Sequence, residues 1–370
     1  MEPARLRAML ARTPGLVARH LSGCLSASLV PGGPLPPDLL ERLAALELPP
    51  RSRAWLKHPD QRLIDSDLRW ITANDARILA VGDPDFPAGL LHRDAAAPAT
   101  LYVMGDPGCL GGPTLAIMGP RQCTPAGLDT AQRFACELAG AGLTLIPGLG
   151  PGLDTAVHEG AQAGRGRGIG VCVTGLDTVY PGSSRGLAAR LRRQGCLVSP
   201  FPPGAAPLRH HFAQRNRLVG TLGAGTLVVE ATADYGPLLG AHRTGRLGAR
   251  VFAIPGSIRD PQARGCNQLI RAGATLVQES GEILCELGIN TKNQEVTRPQ
   301  RSSVKPESGP SPLDNKSEML LDAAGFEPVD IDVVAFRTGW SGHDVAAMLL
   351  LLELQGRIAP RPGGRYCRLS

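Results

Sequence analysis

Aromatic side chains are scarce in this sequence. Phe, Trp and Tyr together make up 4% of its 370 residues. A surface on which many bases or sugar rings stack needs a series of aromatic side chains, so a long stacking platform is excluded. The nine cysteines form no CxxC pair and are odd in number. Buried free thiols in a reducing compartment are therefore favoured over a disulfide framework or a zinc site.

Long apolar runs are missing as well. The longest, Val345–Leu352, is far shorter than the roughly 20 residues that span a membrane, and residues 1–16 (MEPARLRAMLARTPGL) lack the apolar core of a signal peptide. Lysine is rare, with 4 lysines against 35 arginines, and the net charge is +6. We expect a cytoplasmic protein without membrane insertion, whose charge permits a polyanionic partner but does not require one.

The chain divides into three predicted domains and one linker. Residues 1–80 show apolar residues at helical spacing between Pro and Gly breaks, which predicts a small helical domain. In residues 81–287 strand-like and helix-like segments alternate. Residues 288–312 are polar and rich in Pro and Ser, which is typical of a disordered linker. Residues 313–370 regain helical periodicity.

The alternating region has the pattern of a parallel α/β sheet. Apolar segments of strand length recur between amphipathic helical segments, which favours a doubly wound, mainly parallel sheet of the extended Rossmann-like kind. The predicted strands are "TLAIMG", "LTLIPG", "GIGVCVTG", "CLVSPF", "TLVVEA" and "RVFAIPG".

The C-terminal region has the order of a winged helix. Ser341 followed by Asp344 resembles a capping box that opens a helix, and "GG" then joins two strand-like runs as in a hairpin. Residues 342–356 contain no Lys or Arg, so this helix is a poor major-groove reader. The arginines lie in the predicted wing instead, and protein contact is favoured over sequence reading.

Several predicted strands end in glycine. Gly119, Gly148 and Gly256 each follow a strand, and Gly150 and Gly152 lie in "GLGPGLD". Ligands of doubly wound sheets bind at the carboxyl ends of the strands, where bare backbone N–H groups can face a phosphate. The loop is not a GxGxxG fingerprint, and the alternative for each glycine loop alone is a tight turn without a ligand. Several such loops on one sheet edge make that alternative less favoured for the set.

Polar residues adjoin the same predicted edge. Arg121 follows the first of these strands, where a phosphate contact is slightly favoured over a solvated side chain. Asp154 and His158 are four residues apart on one helix face; we expect Asp154 to cap the loop and His158 to be a hydrogen-bonded, half-buried histidine. Glu230 either acts as a catalytic carboxylate or, as we prefer, orients nearby arginines.

The segment "RHHFAQRNR" concentrates positive charge around one aromatic ring. Arg209, Arg215 and Arg217 flank Phe212 and Asn216, with no acidic residue between them. Cations next to a ring suit an unpaired nucleotide strand, whose phosphates need charge and whose bases can stack. The alternative makes Phe212 a core residue and the arginines a solvated rim.

In this combination the chain resembles the DNA-processing protein A (DprA/Smf) family over nearly its whole length. The resembling stretches include "DPDFPAGLL", "LYVMG", "AIMGPR", "PGLGPGLDTAVH", "GLDTVYP", "FAQRNRLV", "VVEATADYG", "VFAIPG", "GCNQLIRAGA" and "ELQGRIAPRPGGRYCRL". The resemblance implies an extended Rossmann-like domain that binds single-stranded DNA, dimerises and helps to load a RecA-type recombinase, with a winged helix at its end and a SAM or helix-hairpin-helix-like domain at its start.

Carried over by position, the resemblance assigns four residues. The family's phosphate-gripping Arg falls on Arg121, the basic residue ahead of its F-x-x-RNR motif on Arg209, its base-stacking Phe on Phe212 and its asparagine on Asn216. The sequence departs from the family pattern where Pro120 and Pro147 replace hydroxyl residues, and where Gly150 replaces an alanine. Tyr235 stands where the family has a serine before Gly236, and we consider Tyr235 a possible second stacking ring. At "TPGLV" (13–17), Val17 replaces a usual glycine.

The sequence therefore predicts a non-enzymatic, sequence-independent single-stranded DNA-binding protein and recombination mediator. Its partners are single-stranded DNA, a RecA-type recombinase and a second copy of itself, with no cofactor, metal or catalytic residue. The predicted DNA-binding residues include Gly236 and Gly256 with those above. One alternative is a nucleotide-binding enzyme of phosphoribohydrolase type that uses Glu230 or Asp154. Another is an interaction scaffold acting through helix 342–356.

Overall fold

The computed structural model describes residues 2–25, 35–36, 38–94, 96–234, 245, 248–289, 315–361 and 363–369. The chain forms two compact units. The larger comprises Met1–Cys123 and Thr130–Val296, and the smaller comprises Thr124–Asp129 and Thr297–Ser370. Residues 1–80 thus belong to the same unit as the sheet, and their separation as a domain stays a prediction. Nearly all of the predicted linker lies outside the described residues.

Helices and strands alternate along most of the larger unit. Up to residue 289 the elements are α1 (Pro3–Ala11), α2 (Ala18–Leu25), α3 (Leu39–Ala44), α4 (Pro50–Lys57), α5 (Gln61–Asn74), β1 (Ala76–Ala80), α6 (Ala88–Arg93), β2 (Thr100–Gly105), β3 (Thr114–Met118), α7 (Pro125–Gly140), β4 (Thr144–Ile146), α8 (Leu153–Ala163), β5 (Ile169–Val171), α9 (Arg185–Gln194), β6 (Cys196–Ser199), α10 (Arg209–Leu222), β7 (Gly225–Val228), β8 (Arg250–Ala253), α11 (Arg264–Arg271), β9 (Thr275–Leu276) and α12 (Ser280–Glu286).

The strands form a mainly parallel sheet with the predicted character. Five parallel strands have the order β4-β3-β7-β8-β9, and four more have the order β1-β2-β6-β5. A parallel bridge between Leu145 and Gly168 links the two groups at β4 and β5. All six predicted strands are present. Their apolar residues are mostly buried, as is typical of a doubly wound sheet, in which helices cover both faces.

One end of the sheet is antiparallel, which the sequence did not predict. β1 pairs with β2 and β2 pairs with β6, both antiparallel. The prediction of helices throughout residues 1–80 is therefore wrong for Ala76–Ala80. Helix α5 ends at Asn74, and the left-handed backbone of the next residue, Asp75 (φ 51°), turns the chain directly into β1. A five-residue strand that follows a helix without a loop has too short a pattern to be distinguished by periodicity.

A buried ion pair attaches the N-terminal helices to the sheet. Arg12 donates two hydrogen bonds of 2.7 Å to the carboxylate of Asp67, which is only 1% exposed. The hydroxyl of Tyr102, in β2, donates to the same carboxylate at 3.1 Å. Burial raises the pKa of Tyr102, so this hydroxyl keeps its proton and remains a donor. The apolar core around them is continuous from α1 to β2 and β6.

The smaller unit contains the elements of a winged helix. Its elements are α13 (Asn315–Ala324), β10 (Val329–Asp330), α14 (Ile331–Thr338), α15 (Gly342–Leu354), β11 (Ile358–Arg361) and β12 (Arg365–Arg368). The three strands have the order β10-β12-β11, and the predicted hairpin turns through Gly363 and Gly364 at positive φ. Ser341 caps α15 by accepting a hydrogen bond from the Asp344 backbone N–H at 3.2 Å. Within the described residues, none of the helices combines the length and hydropathy needed to cross a bilayer.

Candidate nucleic-acid interface

A cleft of about 390 Å³ opens at the carboxyl ends of β3, β4 and β5, beside the first half of α10. Parallel strands end on the same side of a sheet, so loops distant in sequence meet there. The cleft brings together seven of the residues predicted for DNA binding. These are Gly119, Arg121, Gly148, Gly150, Phe212, Arg215 and Asn216.

The glycines of the cleft are required by close packing. A Cβ atom on Gly148 would lie 2.2 Å from Oδ2 of Asp154 and 2.6 Å from Nη2 of Arg215. Gly152 has φ +82°, and a Cβ there would lie 2.2 Å from the carbonyl oxygen of Arg121. The loop after β4 therefore lies directly against both cationic residues, and a side chain at either glycine would displace them.

Asp154 and His158 hold this loop in place, as predicted. The N–H of Gly150 donates to Oδ2 of Asp154 at 2.8 Å, and Nε2 of His158 donates to the carbonyl oxygen of Gly148 at 3.2 Å. Burial raises the pKa of Asp154, and the nearby Arg215 opposes that rise. Burial lowers the pKa of His158 to about 4, so its ring is neutral near pH 7. His158 is more deeply buried than the half-buried state that we predicted.

The buried His158 gives the protein a pH-dependent stability. Its pKa rises from about 4 in the folded chain to 6.5 on unfolding, so the unfolded state binds more protons between these values. We expect the free energy of unfolding to decrease as the pH falls from 6.5 to 4, by at most about 3 kcal/mol from this residue. Urea unfolding of the wild type and of His158→Gln at each pH measures this term. Parallel pH profiles for the two proteins would contradict it.

Arg215 is fixed at the wall of the cleft by the neighbouring strand. Its Nε donates to the carbonyl oxygen of Val171 at 3.1 Å, and its Nη1 donates to Oδ1 of Asn216 at 2.9 Å. The guanidinium is therefore held by backbone and amide groups while its charge faces Asp154 and the cleft. Arg121 is exposed in the loop after β3 and lines the same cleft, so a ligand phosphate can approach its guanidinium.

Arg217 has a different environment from Arg215. It pairs through two hydrogen bonds with Asp94, whose side chain is 2% exposed, and it does not line the cleft. The Asp94 carboxylate also accepts a hydrogen bond from the Ala96 N–H at 2.9 Å, but loss of its cation would leave a buried charge without a counter-charge from Arg217. The ion pair with Asp94 gives Arg217 a structural role. A DNA contact of Arg217 stays a prediction.

Replacing Arg217 separates these two roles. We expect Arg217→Ala to lower the free energy of unfolding by about 2 kcal/mol, because the buried Asp94 carboxylate then keeps only the hydrogen bond from the Ala96 N–H among those described. Urea denaturation measures the loss. In the Arg217→Ala background, Asp94→Asn should recover part of it, since a neutral amide is less costly to bury than a carboxylate. An unchanged unfolding midpoint in Arg217→Ala would refute the structural role.

The other predicted residues that the structure describes do not line the cleft. Arg209 is exposed at the first turn of α10. Gly256 is bound to α11, with hydrogen bonds to the side chain of Asn267 in both directions. Glu230 lies beside Cys123 and Cys266, where burial and this carboxylate raise the pKa of each thiol to about 12. Tyr235 and Gly236 lie outside the described residues.

The structure adds one aromatic residue that the sequence analysis missed. Tyr180 lines the cleft, and its ring is nearly perpendicular to that of Phe212, with 6.0 Å between the centroids and 81° between the planes. Its loop follows β5, so its distance of 32 residues from Phe212 along the chain hid the pair. The stretch "GLDTVYP" was an available signal, because it follows the predicted strand "GIGVCVTG" and loops after parallel strands lie at the ligand-binding edge.

A mainly parallel α/β sheet, glycine loops at its carboxyl edge and a winged-helix unit define an extended Rossmann-like protein. The family described as DNA recombination-mediator protein A matches residues 77–288, and the DprA winged helix domain matches residues 304–364. The protein Smf of Escherichia coli K12 is 35% identical over 322 residues, which cover 86% of this chain and 84% of that protein. The chain therefore belongs to the DprA/Smf family of DNA-processing proteins.

Solved structures agree with this assignment. The X-ray structure of DNA processing protein A from Streptococcus pneumoniae aligns with a TM-score of 0.65 and 28% identity, covering 77% of this chain and 99% of that one. A structure described for the single-stranded DNA binding mode of DNA processing protein A from Helicobacter pylori aligns with a TM-score of 0.51. It covers 57% of this chain and 95% of that one at 23% identity, which supports the fold alone.

Proposed function

We propose that this protein binds single-stranded DNA without sequence preference at the β3–β5 cleft. The observation that carries the proposal is the meeting of Arg121, Arg215 and Phe212 in one cleft whose floor is glycine backbone. Cations hold phosphates, bare backbone permits their close approach, and the ring offers a face to an unstacked base. The same ligand is in keeping with the family of this chain, since the DNA processing protein A of Helicobacter pylori is described for its single-stranded DNA binding mode.

The proposal includes a biological setting. As a member of its family, the protein would protect incoming single strands and load a RecA-type recombinase in the cytoplasm, during natural transformation and recombination. It would act as a homodimer and without catalysis. The recombinase step is tested by the DNA-dependent ATPase activity of the recombinase. This activity should rise when the protein is added, and it should not rise with a variant that cannot bind DNA.

The direct test compares paired and unpaired strands. Titration of the full chain with a fluorescent oligonucleotide and with its duplex, at several salt concentrations, should give tighter binding of the single strand. A closed duplex keeps its bases stacked and cannot use the Phe212 ring. Phe212→Ala should reduce the preference about tenfold, in line with the stacking energy of one base. Equal affinity of the wild type for both ligands would contradict the proposal.

A further inference from the structure

We propose that Tyr180 is a second base-contacting residue, which forms with Phe212 a two-ring corner that holds one unpaired nucleobase. The inference deepens the proposed function and rests on single-strand binding at the β3–β5 cleft. Its starting observation is that both rings line this cleft and stand nearly perpendicular at 6.0 Å.

The geometry of the corner selects a flat ligand. Two rings in edge contact leave no room for a base between them, so a base is not clamped from both sides. A base can stack on the face of one ring, and the edge of the base then contacts the second ring. The Tyr180 hydroxyl can both donate and accept a hydrogen bond, as the edge of any base requires. The corner therefore fixes the orientation of a base without selecting its identity.

Tyr180 has free surface for this contact. Its residue exposure is 41%, although the edge of the ring pair is packed. Arg121 and Arg215 line the same cleft, so phosphates held by these cations place the attached base within reach of the rings. Packing against Phe212 buries only part of the Tyr180 ring, and the rest of its surface is available to a ligand in the cleft.

The loop that carries Tyr180 is ordered by hydrogen bonds. The N–H of Thr178 donates to the carbonyl oxygen of Gly175 at 3.2 Å, and the N–H of Ser184 donates to that of Pro181 at 3.0 Å. Asp177 accepts a hydrogen bond from the N–H of Gly204 at 3.0 Å. Little conformational entropy therefore remains to be lost when a base binds.

The first turn of α10, which carries Phe212, is anchored in the same way. The ring of His211 stacks on Phe201 with centroids 3.8 Å apart, and its Nδ1 lies 3.1 Å from the carbonyl oxygen of Val173. Val173 lies at the start of the loop that carries Tyr180, two residues after the end of β5. The two rings of the corner are thus presented by connected, rigid elements.

Abasic strands isolate the contribution of Tyr180. An oligonucleotide and its abasic counterpart carry the same phosphates, so they differ only in their bases. Tyr180→Ala in the full chain should weaken binding of the intact strand about tenfold and leave abasic binding and the salt slope unchanged. Tyr180→Phe keeps the ring and loses the hydrogen bond of the hydroxyl, so its loss should be about two- to fivefold and smaller than that of Tyr180→Ala. An equal loss on both strands, an unchanged affinity of Tyr180→Ala for the intact strand, or an equally weak Tyr180→Phe would overturn the proposal.

A spectroscopic variant makes the test independent of affinity changes and of misfolding. Tyr180→Trp places an indole in the corner, and its fluorescence, after subtraction of the wild-type signal, should be quenched by the intact strand and not by the abasic one. Absence of quenching while the strand is bound would overturn the two-ring corner. If the wild type does not bind the intact strand, the proposed function itself fails. If the wild type binds the intact strand, and Phe212→Ala weakens this binding while Tyr180→Ala does not, only the role of Tyr180 fails.

Discussion

Arg121→Ala should weaken single-strand binding by at least about tenfold at 0.1 M salt and flatten its salt dependence. Each phosphate neutralised on a single strand contributes about 0.7 to the slope of log affinity against log salt, so the slope should fall by about that amount. Arg121 is the cation of the cleft with an exposed side chain, whereas Arg215 is partly occupied by Val171 and Asn216. Fluorescence anisotropy at five salt concentrations measures both quantities.

The matched control for Arg121 is an exposed arginine outside the cleft. Arg69 is exposed on α5 and is not among the residues that line the β3–β5 cleft. Arg69→Ala removes the same net charge, so it controls for the nonspecific effect of charge on binding. The slope of log affinity against log salt for Arg69→Ala should equal that of the wild type. If Arg121→Ala and Arg69→Ala behave alike, the phosphates do not bind at this cleft.

The sequence predicted the edge of the sheet well and the contents of the cleft in part. Apolar strands that end in glycine have a strong pattern, and Gly119, Gly148 and Gly150 meet as expected. The functions of Arg215 and Arg217 could not be separated, since they are two residues apart in one cationic run. Only the fold reveals that Arg217 faces the buried Asp94, which is 123 residues away along the chain.

Tyr180 was missed for a related reason. A contact between rings depends on where a loop folds back, and neither periodicity nor charge clustering records that distance. The scarcity of aromatic residues argued against a long stacking platform, and that argument did not exclude a pair. The antiparallel strand β1 was not predicted, because its five residues follow α5 after a single left-handed residue, Asp75.

Gly148→Ala should damage both the stability of the protein and its binding of DNA. The new Cβ would lie 2.2 Å from Oδ2 of Asp154, a distance that real Cβ atoms essentially never show. Asp154 is held by the N–H of Gly150, so its carboxylate cannot move away without breaking the cap of the loop. We expect a loss of about 2–3 kcal/mol in the free energy of unfolding, as for overpacked cores, measured by urea denaturation.

The effect of Gly148→Ala on DNA follows from its second neighbour. Nη2 of Arg215 would lie 2.6 Å from the added methyl group, so the cation must move from the cleft wall. Single-strand affinity should therefore fall at least tenfold at a temperature where the variant is still folded. Gly112→Ala is the control, because a Cβ there meets no atom within 4 Å. If Gly148→Ala kept wild-type affinity while its stability fell, the position of Arg215 would be irrelevant to DNA, and the phosphates would have to be held by Arg121 without it.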